Sequence, residues 1–366
     1  MSFEKVGFIG LGLIGGSIAK TIKKKYPDTT LIATARHADT IQEAHDFGTI
    51  ENDTLLPLSD FADCDYIFLC TPVQQNLIYL KELKSVIKPS CIITDVGSVK
   101  SDIHKAVTAL DIEANFIGGH PMCGSEKTGF FNATEYLLEN AYYIITPTAK
   151  TAPAQLEDFH ALVKSLGSVP MILDYEKHDF ATAAISHLPH IIASSLVNLV
   201  SDLDDEQETM RTIAAGGFKD ITRIASSSPV MWQNICLSNQ EQILKLTDCY
   251  IHALQNIRSS VADAKSDDII SFFRNAKDYR DSIDIVDNSL IPRSYVLYID
   301  VADEAGAIAT IATILATEKV SIKNIGIIHN REYVDGVMKL ELYKEDDEKK
   351  ARELLIQNRY DIVDRD

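Results

Sequence analysis

Residues 5–15 read Lys5-Val6-Gly7-Phe8-Ile9-Gly10-Leu11-Gly12-Leu13-Ile14-Gly15. The apolar run through Ile9 predicts a short buried strand. Three glycines spaced Gly-x-Gly-x-x-Gly come directly after it, and the next residues predict a helix that continues to about Lys25, before Tyr26 and Pro27. The segment therefore predicts a strand, a tight turn and a helix, which is the first unit of an alternating α/β fold.

Further strands and helices alternate through the first half of the chain. The predicted strands cover residues 31–34, 66–70, 91–95 and 141–146, the predicted helices cover 40–48 and 74–87, and one more helix and strand follow. Alternation at this spacing predicts a parallel, doubly wound sheet. We expect this first domain to span residues 1–172.

In this context the glycine turn predicts a dinucleotide site. The first glycine makes the tight turn, the second lets the backbone approach a pyrophosphate, and the third lets helix and strand pack closely. The pyrophosphate would bind the free N–H groups at the helix N-terminus. A glycine-rich structural turn is the alternative. The expected cofactor contacts are Gly10, Leu11, Gly12, Leu13, Ile14 and Gly15, with Thr71 and Pro72 after the third strand.

The end of the second strand leaves the choice of cofactor open. In folds that bind NAD an acid usually accepts a hydrogen bond from the ribose 2′-hydroxyl. Here Ala35 stands at that position, Arg36 follows it, and no acid comes before Asp39. Arg36 can accept the 2′-phosphate of NADP or can stack on the adenine. The sequence therefore predicts NAD or NADP without choosing between them.

Two further domains are predicted downstream. Residues 173–285 carry long helical periodicity, which indicates an all-α domain. A linker follows at residues 286–293 and contains Pro292. Residues 294–366 then predict strand, helix, two strands, helix and strand, a ferredoxin-like βαββαβ unit.

Composition excludes several classes of protein. A length of 366 residues predicts two or three domains, and a net charge of −18 argues against nucleic acid and anionic membranes as partners. We see no signal peptide and no apolar stretch long enough to span a bilayer. The six cysteines form no Cys-x-x-Cys pair. We therefore predict reduced thiols, no metal site and a cytoplasmic location.

Three separate segments concentrate polar groups suited to chemistry. Residues 94–100, with Ser98, follow a predicted parallel strand, where open α/β sheets collect ligands. Residues 118–126 read Gly-Gly-His-Pro-Met-Cys-Gly-Ser-Glu and contain His120. The third segment, residues 186–190, reads Ser-His-Leu-Pro-His, with Gly-Gly-Phe-Lys-Asp-Ile-Thr-Arg at 216–223 and Trp232 downstream.

Together these segments closely resemble the prephenate dehydrogenase family, over about residues 5–285. The resemblance implies an α/β Rossmann domain followed by an all-α domain that forms a homodimer. It also implies oxidative decarboxylation of prephenate to 4-hydroxyphenylpyruvate, with hydride transfer to the cofactor, in tyrosine biosynthesis. Such a site needs a base at the ring hydroxyl, cations at the carboxylates and a dry wall around the ring.

The resemblance also implies roles for individual residues. His120 matches the catalytic base, since a neutral imidazole can take a proton near pH 7. Ser98 matches the serine that hydrogen-bonds it. The substrate side is implied to comprise Arg223 at a carboxylate, His190 at the pyruvyl side chain, Glu126 at the entrance, Gly216, and Trp232 beside the ring.

Purely structural interpretations stay open for several of these residues. A histidine can be purely structural, Arg223 can pair with Asp220 on its helix, His187 can cap a helix, and Trp232 can belong to the core. Arogenate dehydrogenase is a close alternative, since only the pyruvyl carbonyl differs. A β-hydroxyacid dehydrogenase and a non-catalytic regulator are less well supported by Ser98, His120 and Arg223.

Residues 294–366 resemble an ACT domain, a regulatory module that commonly pairs and binds amino acids. The residues that carry the resemblance are 298–308 and 321–326. Gly306 would let backbone N–H groups approach a ligand carboxylate. The resemblance implies tyrosine as effector, bound near Asp303, Gly306, Ile308 and Asn324. A purely structural pairing domain is the alternative.

Overall fold

Two units make up the chain, residues 1–259 and residues 260–366. The structure is a computed structural model that describes residues 3–124, 127–286, 295–301, 306–328 and 336–363. Glu126 and Asp303, both expected to bind ligands, lie outside the described residues. The two units are described in turn.

A parallel sheet forms the centre of the first unit, in the order β2-β1-β3-β4. Its strands are β1 (Lys5–Ile9), β2 (Thr30–Thr34), β3 (Tyr66–Leu69) and β4 (Ile92–Asp95). Phe8 and Phe68 pack into the core on one face, and Ile9 and Ile67 pack into the core on the other. Because both faces are covered, the strands are continuous apolar runs rather than alternating ones.

The sheet departs from the predicted parallel pattern after β4. Its remaining strands are β5 (Ile117–Pro121), β6 (Tyr142–Pro147) and β7 (Val169–Ile172). A parallel bridge joins Ile93 to Phe116, and β5 then pairs antiparallel with β6. The described part of residues 122–141 contains turns but no crossover helix, so the chain returns in the opposite direction. The expectation of an all-parallel sheet was therefore wrong at this pair.

Helices cover the sheet, and the periodicity predicted all of them except the one at residues 101–109. They are α1 (Leu13–Lys25), α2 (Ala38–Asp46), α3 (Val73–Leu83), α4 (Ser101–Ala109) and α5 (Pro153–Ser165). Ile18 and Ile22 of α1 are fully buried against the first core face. Ile103 and Val107 of α4 are buried on the second. These contacts fix both helix N-termini at the carboxyl end of the sheet.

The remainder of the first unit is helical. Its helices are α6 (Tyr175–Thr182), α7 (Leu188–Leu203), α8 (Thr209–Ile213), α9 (Gly216–Thr222), α10 (Pro229–Ser238) and most of α11 (Gln240–Ala262). A π-helical turn, Ala183–His187, joins α6 to α7. Such turns insert one extra residue per turn and frequently occur at functional sites.

The run from α6 to α7 is more apolar than the sequence analysis expected. Residues 175–203 are long and apolar enough to cross a membrane by length and composition alone. Three histidines, His178, His187 and His190, interrupt this run, and ionisable groups are costly inside a bilayer. Core helices of proteins without a membrane segment pass the same test, so the feature is weak evidence for a span.

The second unit contains the predicted βαββαβ order. It begins with α12 (Ser266–Val286), and the later elements are β8 (Tyr295–Val301), α13 (Ala307–Thr317), β9 (Ile322–Ile328), β10 (Gly336–Leu342), α14 (Glu345–Gln357) and β11 (Ile362–Val363). The sheet is antiparallel in the order β11-β8-β10-β9. Because α12 continues through Val286, residue 286 belongs to a helix and not to the predicted linker. The rest of that linker lies outside the described residues.

Candidate active site

The glycine turn has the geometry that its spacing predicted. Gly10 has φ of 95°, a left-handed conformation that favours glycine. A Cβ on Gly15 would lie 2.6 Å from the Gly10 carbonyl oxygen, so the third glycine permits the close approach of α1 to β1. A Cβ on Gly12 would meet nothing within 4 Å, so this position is open to a ligand. The turn therefore fits a pyrophosphate on the α1 N-terminus.

A cavity of 820 Å³ extends from this turn along the carboxyl ends of the strands. Its wall includes Gly12, Arg36, Thr71, Pro72 and Ser98, all singled out from the sequence. The side chains of two other predicted contacts behave differently, because Leu11 is buried and Ile14 packs against the core. Their part in cofactor binding is therefore limited to backbone groups.

A second cavity, of 530 Å³, adjoins the first through shared wall residues that include Ser98 and Met231. Its wall brings together four of the predicted residues, Ser98, His120, His190 and Trp232. His187 lines it as well. A ligand in either cavity would therefore lie against the wall that contains Ser98.

His120 lies at the end of β5, where the antiparallel partner β6 holds it. Its ring is half-buried, and its Nδ1 lies 2.8 Å from Nε2 of His178. Burial, and then repulsion from Lys100 and from His178 and His187 when these rings are protonated, hold the pKa of His120 well below its ordinary value. His120 is therefore neutral at pH 7 and can accept a proton.

A buried ion pair supports the strand that carries His120. Lys100 and Asp95 are both fully buried and pair through Nζ and Oδ2. The Lys100 ammonium also donates to the Gly119 carbonyl oxygen at 2.7 Å, and the Gly119 N–H donates to Asp95 Oδ1 at 3.2 Å. Burial lowers the pKa of Lys100, and Asp95 opposes that shift. Removing either partner would leave an unpaired buried charge.

His190 and Trp232 form the opposite wall of the second cavity. Their rings stack with centroids 3.8 Å apart. His190 Nδ1–H donates to the Ser186 carbonyl oxygen at 2.8 Å, which leaves Nε2 as the remaining polar atom of the ring. Trp232 is thus a cavity wall residue and not only part of the core.

His187 is held between two side chains rather than serving as a helix cap. Its Nδ1 lies 3.2 Å from the Asn239 amide, and its ring lies edge-on to Trp232 at 6.0 Å. Burial lowers the pKa of His187 to about 4. The ring is therefore neutral at pH 7.

Two predicted substrate residues lie outside the cavity walls. Arg223 and Gly216 are exposed, and neither belongs to the lining of the two cavities. Ile224, the residue after Arg223, does line the second cavity. The structure therefore brings the segment of Arg223 to the cavity edge without placing its side chain in the wall.

The sequence analysis missed His178 and Asp179. Both are buried, and they join His120 to the N-terminus of α4. His178 is 58 positions from His120, and Asp179 is 79 positions from Lys100, so only the fold brings these contacting residues together. Their adjacency as a His-Asp pair in a predicted helix was the one available signal.

Comparisons with known proteins agree with this geometry. A family model described as prephenate dehydrogenase, nucleotide-binding domain, matches residues 18–172. A second, described as the dimerization domain of prephenate dehydrogenase, matches residues 174–275. The prephenate dehydrogenase of Bacillus subtilis (strain 168) is 40% identical over 348 residues, covering 94% of each chain.

Solved structures give the same family. A prephenate dehydrogenase from A. aeolicus, in complex with hydroxyphenyl propionate and NAD+, superposes with a TM-score of 0.73 at 28% identity, covering 77% of this chain and 99% of that one. Synechocystis arogenate dehydrogenase superposes with a TM-score of 0.69 at 30% identity, covering 76% and 99%. With both domain models matched in order and 40% identity over nearly the whole length, the chain belongs to the prephenate dehydrogenase family.

Proposed function

We propose that this chain, a nicotinamide-dependent prephenate dehydrogenase, uses His120 as the base that takes the proton of the ring hydroxyl. The observation that carries the proposal is the place of His120 on the wall of the second cavity, which Ser98 also lines, and burial holds the pKa of His120 below its ordinary value. Gly12, Arg36, Thr71 and Pro72 of the first cavity would hold a nicotinamide cofactor, which would supply the hydride acceptor for the carbinol carbon. His120 takes the hydroxyl proton, and Ser98 hydrogen-bonds that hydroxyl or His120.

The ring carboxylate is the leaving group. As the carbinol carbon loses hydride and its oxygen loses a proton, the bond to the carboxylate breaks. Its electrons enter the ring, which becomes aromatic, and carbon dioxide departs. The reaction therefore needs a base at the ring hydroxyl. It also needs groups that hold the substrate carboxylates in a site from which bulk water is excluded.

The second cavity supports a division of roles around the substrate. Trp232 and its stacked partner His190 supply an apolar face for the ring and one polar atom for the pyruvyl side chain. We assign Arg223 to a substrate carboxylate, because a guanidinium binds carboxylates in bidentate fashion and its neighbour Ile224 lines the cavity. Gly216 and Glu126 are proposed to border the entrance.

We propose that the cofactor site admits NADP as well as NAD. Arg36 and His37 line the first cavity where β2 ends. Asn52, which bonds both the N–H and the carbonyl oxygen of Ala33 at 2.9 Å, fixes the end of this strand. Position 35 is an alanine, so no carboxylate is present there to repel a 2′-phosphate. The Arg36 guanidinium would attract that phosphate.

The helical domain is proposed to form a homodimer. Large apolar side chains are exposed on its helices, at Ile185, Leu199, Leu203, Ile213, Leu237, Leu244, Ile251 and Leu254. Large apolar side chains exposed in this number support a protein contact on these helices. The family model matched to residues 174–275 carries the description of a dimerization domain. We divide the chain accordingly into residues 1–172, 173–285 and 294–366.

Residues 294–366 are proposed to be an ACT domain that senses tyrosine and can also pair. The support is the βαββαβ order and the turn at Gly306, which has φ of 101° and open space around the position of a Cβ. Ile308 lies at the start of α13, two residues after this turn, and Asn324 lies in β9. We also propose a cytoplasmic location, since all six cysteines are free thiols.

Arogenate is the second candidate substrate, because a solved arogenate dehydrogenase has the same fold. The two substrates differ only at the side chain that we assign to His190. The test is an assay of the purified full-length protein with each substrate paired with NAD and with NADP, following reduced cofactor. Prephenate should give the higher kcat/KM. No turnover with any pair would leave a binding protein, and a preference for arogenate would reverse the assignment.

A further inference from the structure

A continuous chain of hydrogen bonds leads away from His120 into the protein. His120 Nδ1 lies 2.8 Å from His178 Nε2, and His178 Nδ1 lies 2.8 Å from Asp179 Oδ1. His178 and Asp179 are buried, with exposures of 1% and 0%. Neither His178 nor Asp179 lines the two cavities, so this series of hydrogen bonds lies behind the cavity wall that contains His120.

The chain ends on a carboxylate held at a helix N-terminus. Asp179 Oδ1 accepts the Lys100 backbone N–H at 2.8 Å, and Oδ2 accepts the Ser101 N–H at 2.7 Å, where α4 begins. Burial alone would raise the pKa of Asp179, but the hydrogen bonds from His178, Ser101 and Lys100 outweigh it and hold the pKa below its ordinary value. Asp179 is therefore ionised and can only accept hydrogen bonds.

An acceptor at the end of the chain fixes every proton along it. His178 must carry its proton on Nδ1 to donate to Asp179, so a neutral His178 presents Nε2 as an acceptor. His120 must then carry its proton on Nδ1 to donate to His178. The remaining nitrogen of His120, Nε2, is left with a free lone pair, which is the form a base requires.

We propose that His178 and Asp179 are positioning residues that select the tautomer of His120 and stabilise the charge it gains on taking the substrate proton. This proposal rests on the proposed role of His120 as the base. When Nε2 of His120 gains the hydroxyl proton, the ring becomes an imidazolium whose Nδ1–H bond to His178 strengthens. His178 passes the stabilisation to the Asp179 carboxylate through its own Nδ1–H. The arrangement needs no net proton transfer along the chain.

The test compares two substitutions at His178. In His178→Gln the amide oxygen can occupy the place of Nε2 and accept the His120 proton, whereas His178→Leu removes the acceptor. We expect His178→Leu to lower kcat about a hundredfold, with KM and the dissociation constant of the cofactor within about threefold of wild type. His178→Gln should recover about tenfold or more of that loss. A merely structural role would not separate the two variants in kcat.

His104→Leu is the matched control. His104 is also a buried, hydrogen-bonded histidine, with Nε2 2.8 Å from Thr146 Oγ1, but it takes no part in the chain. This variant should lose stability while keeping kcat. The proposal would be overturned if His178→Gln and His178→Leu had equal kcat and if their losses of kcat followed their losses of stability, measured as urea unfolding midpoints.

Two further variants cover the remaining outcomes. Should His178→Leu fail to fold, His178→Phe gives the same test, since it keeps a ring in that place but offers no acceptor for the His120 proton. A folded His178→Phe protein with wild-type kcat would overturn the proposal. His120→Asn separates the two levels of the argument: if it is inactive while His178→Leu is fully active, only the positioning role fails, and if it is active, the proposed base fails as well.

Discussion

His120 combines a half-buried ring with three ionisable neighbours, His178, Lys100 and His187, which together keep it neutral. The sequence pointed to this residue because the Gly-Gly-His-Pro segment resembles the one that carries the family's catalytic histidine. The local sequence around His120 could not show its neighbours in space, because Lys100 is 20 positions away and His178 is 58 positions away. Burial and long-range contacts, which set the protonation of a histidine, become visible only in the fold.

Replacing His120 with asparagine should abolish most turnover and spare cofactor binding. Loss of a positioned base costs about two to four orders of magnitude in kcat. The glycine turn, which holds the cofactor, is not touched by this side chain. Steady-state kinetics and a cofactor titration measure the two effects, with His160→Asn on α5 as control. A variant that keeps more than about a tenth of wild-type kcat would remove His120 from the mechanism.

Cofactor choice is decided at Ala35 and Arg36. Ala35→Asp should depress the use of NADP, because a carboxylate there repels the 2′-phosphate, and should spare or improve the use of NAD. The measurement is kcat/KM for both cofactors in both proteins. Ala38→Asp, at the start of α2, is a control for added charge nearby. Wild-type protein with no NADP activity at all would show that Arg36 does not bind the phosphate.

Among the secondary-structure elements, periodicity predicted most strands and helices of the first domain but not β5 or α4, and it predicted residues 173–285 as helical without separating the individual helices. Strand direction was harder to predict. The pairing of β5 with β6 is antiparallel because residues 122–141 hold no helix in their described part to carry the chain back across the sheet. The π-helical turn at Ala183–His187 was also missed, since an inserted residue leaves little trace in an apolar pattern.

The segment that ends at Arg223 is a part of the predicted site whose side chain lies outside the two cavity walls. Arg223→Ala should mainly raise KM for prephenate, by about ten- to a hundredfold, the value of a charge-assisted hydrogen bond to a carboxylate. Lys219→Ala, on the preceding helix α9, controls for loss of a surface cation. If KM is unchanged, while Asp220→Ala and Arg223→Ala lower stability equally, the arginine serves to pair with Asp220.

Contacts between α4, β6 and α6 meet at His104, which makes them sensitive to acid. His104 bonds Thr146 and stacks on Tyr175 with centroids 4.6 Å apart. Burial, followed by repulsion from Lys100, lowers the pKa of His104 to about 4. Because this folded-state pKa lies below the unfolded value, the unfolded chain binds the proton first, and stability falls as pH drops from about 6.5 towards 4.

His104→Gln should therefore flatten the acid dependence of unfolding. Between pH 7 and pH 4.5 one such histidine contributes a loss of about 2 kcal/mol, which glutamine cannot contribute because it does not titrate. Urea unfolding at several pH values measures the slope, with exposed His252→Gln as control. Parallel pH profiles for wild type and His104→Gln would show that protonation of His104 does not limit acid stability.

For the whole molecule, the question is how an effector in residues 294–366 changes events at His120. Tyrosine bound near Gly306, between paired ACT domains, would favour one arrangement of the dimer, and it would act allosterically only through a site of its own. Because tyrosine also resembles the product, competition at the active site is the rival explanation. The sequence predicted the βαββαβ order. An effector site formed by two chains could not be predicted, because it depends on how the chains pair and the pattern of one sequence does not specify that pairing.

Two variants separate these explanations. A chain that ends at about residue 288 should keep catalysis and lose inhibition by tyrosine. Gly306→Ala should weaken inhibition in the full-length protein, because alanine is strained at a φ of 101° and its methyl group would enter the proposed ligand space. Thr313→Ala, further along α13, is the control. Inhibition curves measured with varied prephenate give the mechanism as well as the strength. If the shortened chain and Gly306→Ala are both inhibited as strongly as wild type, and competitively with prephenate, tyrosine binds beside His120 and residues 294–366 do not sense it.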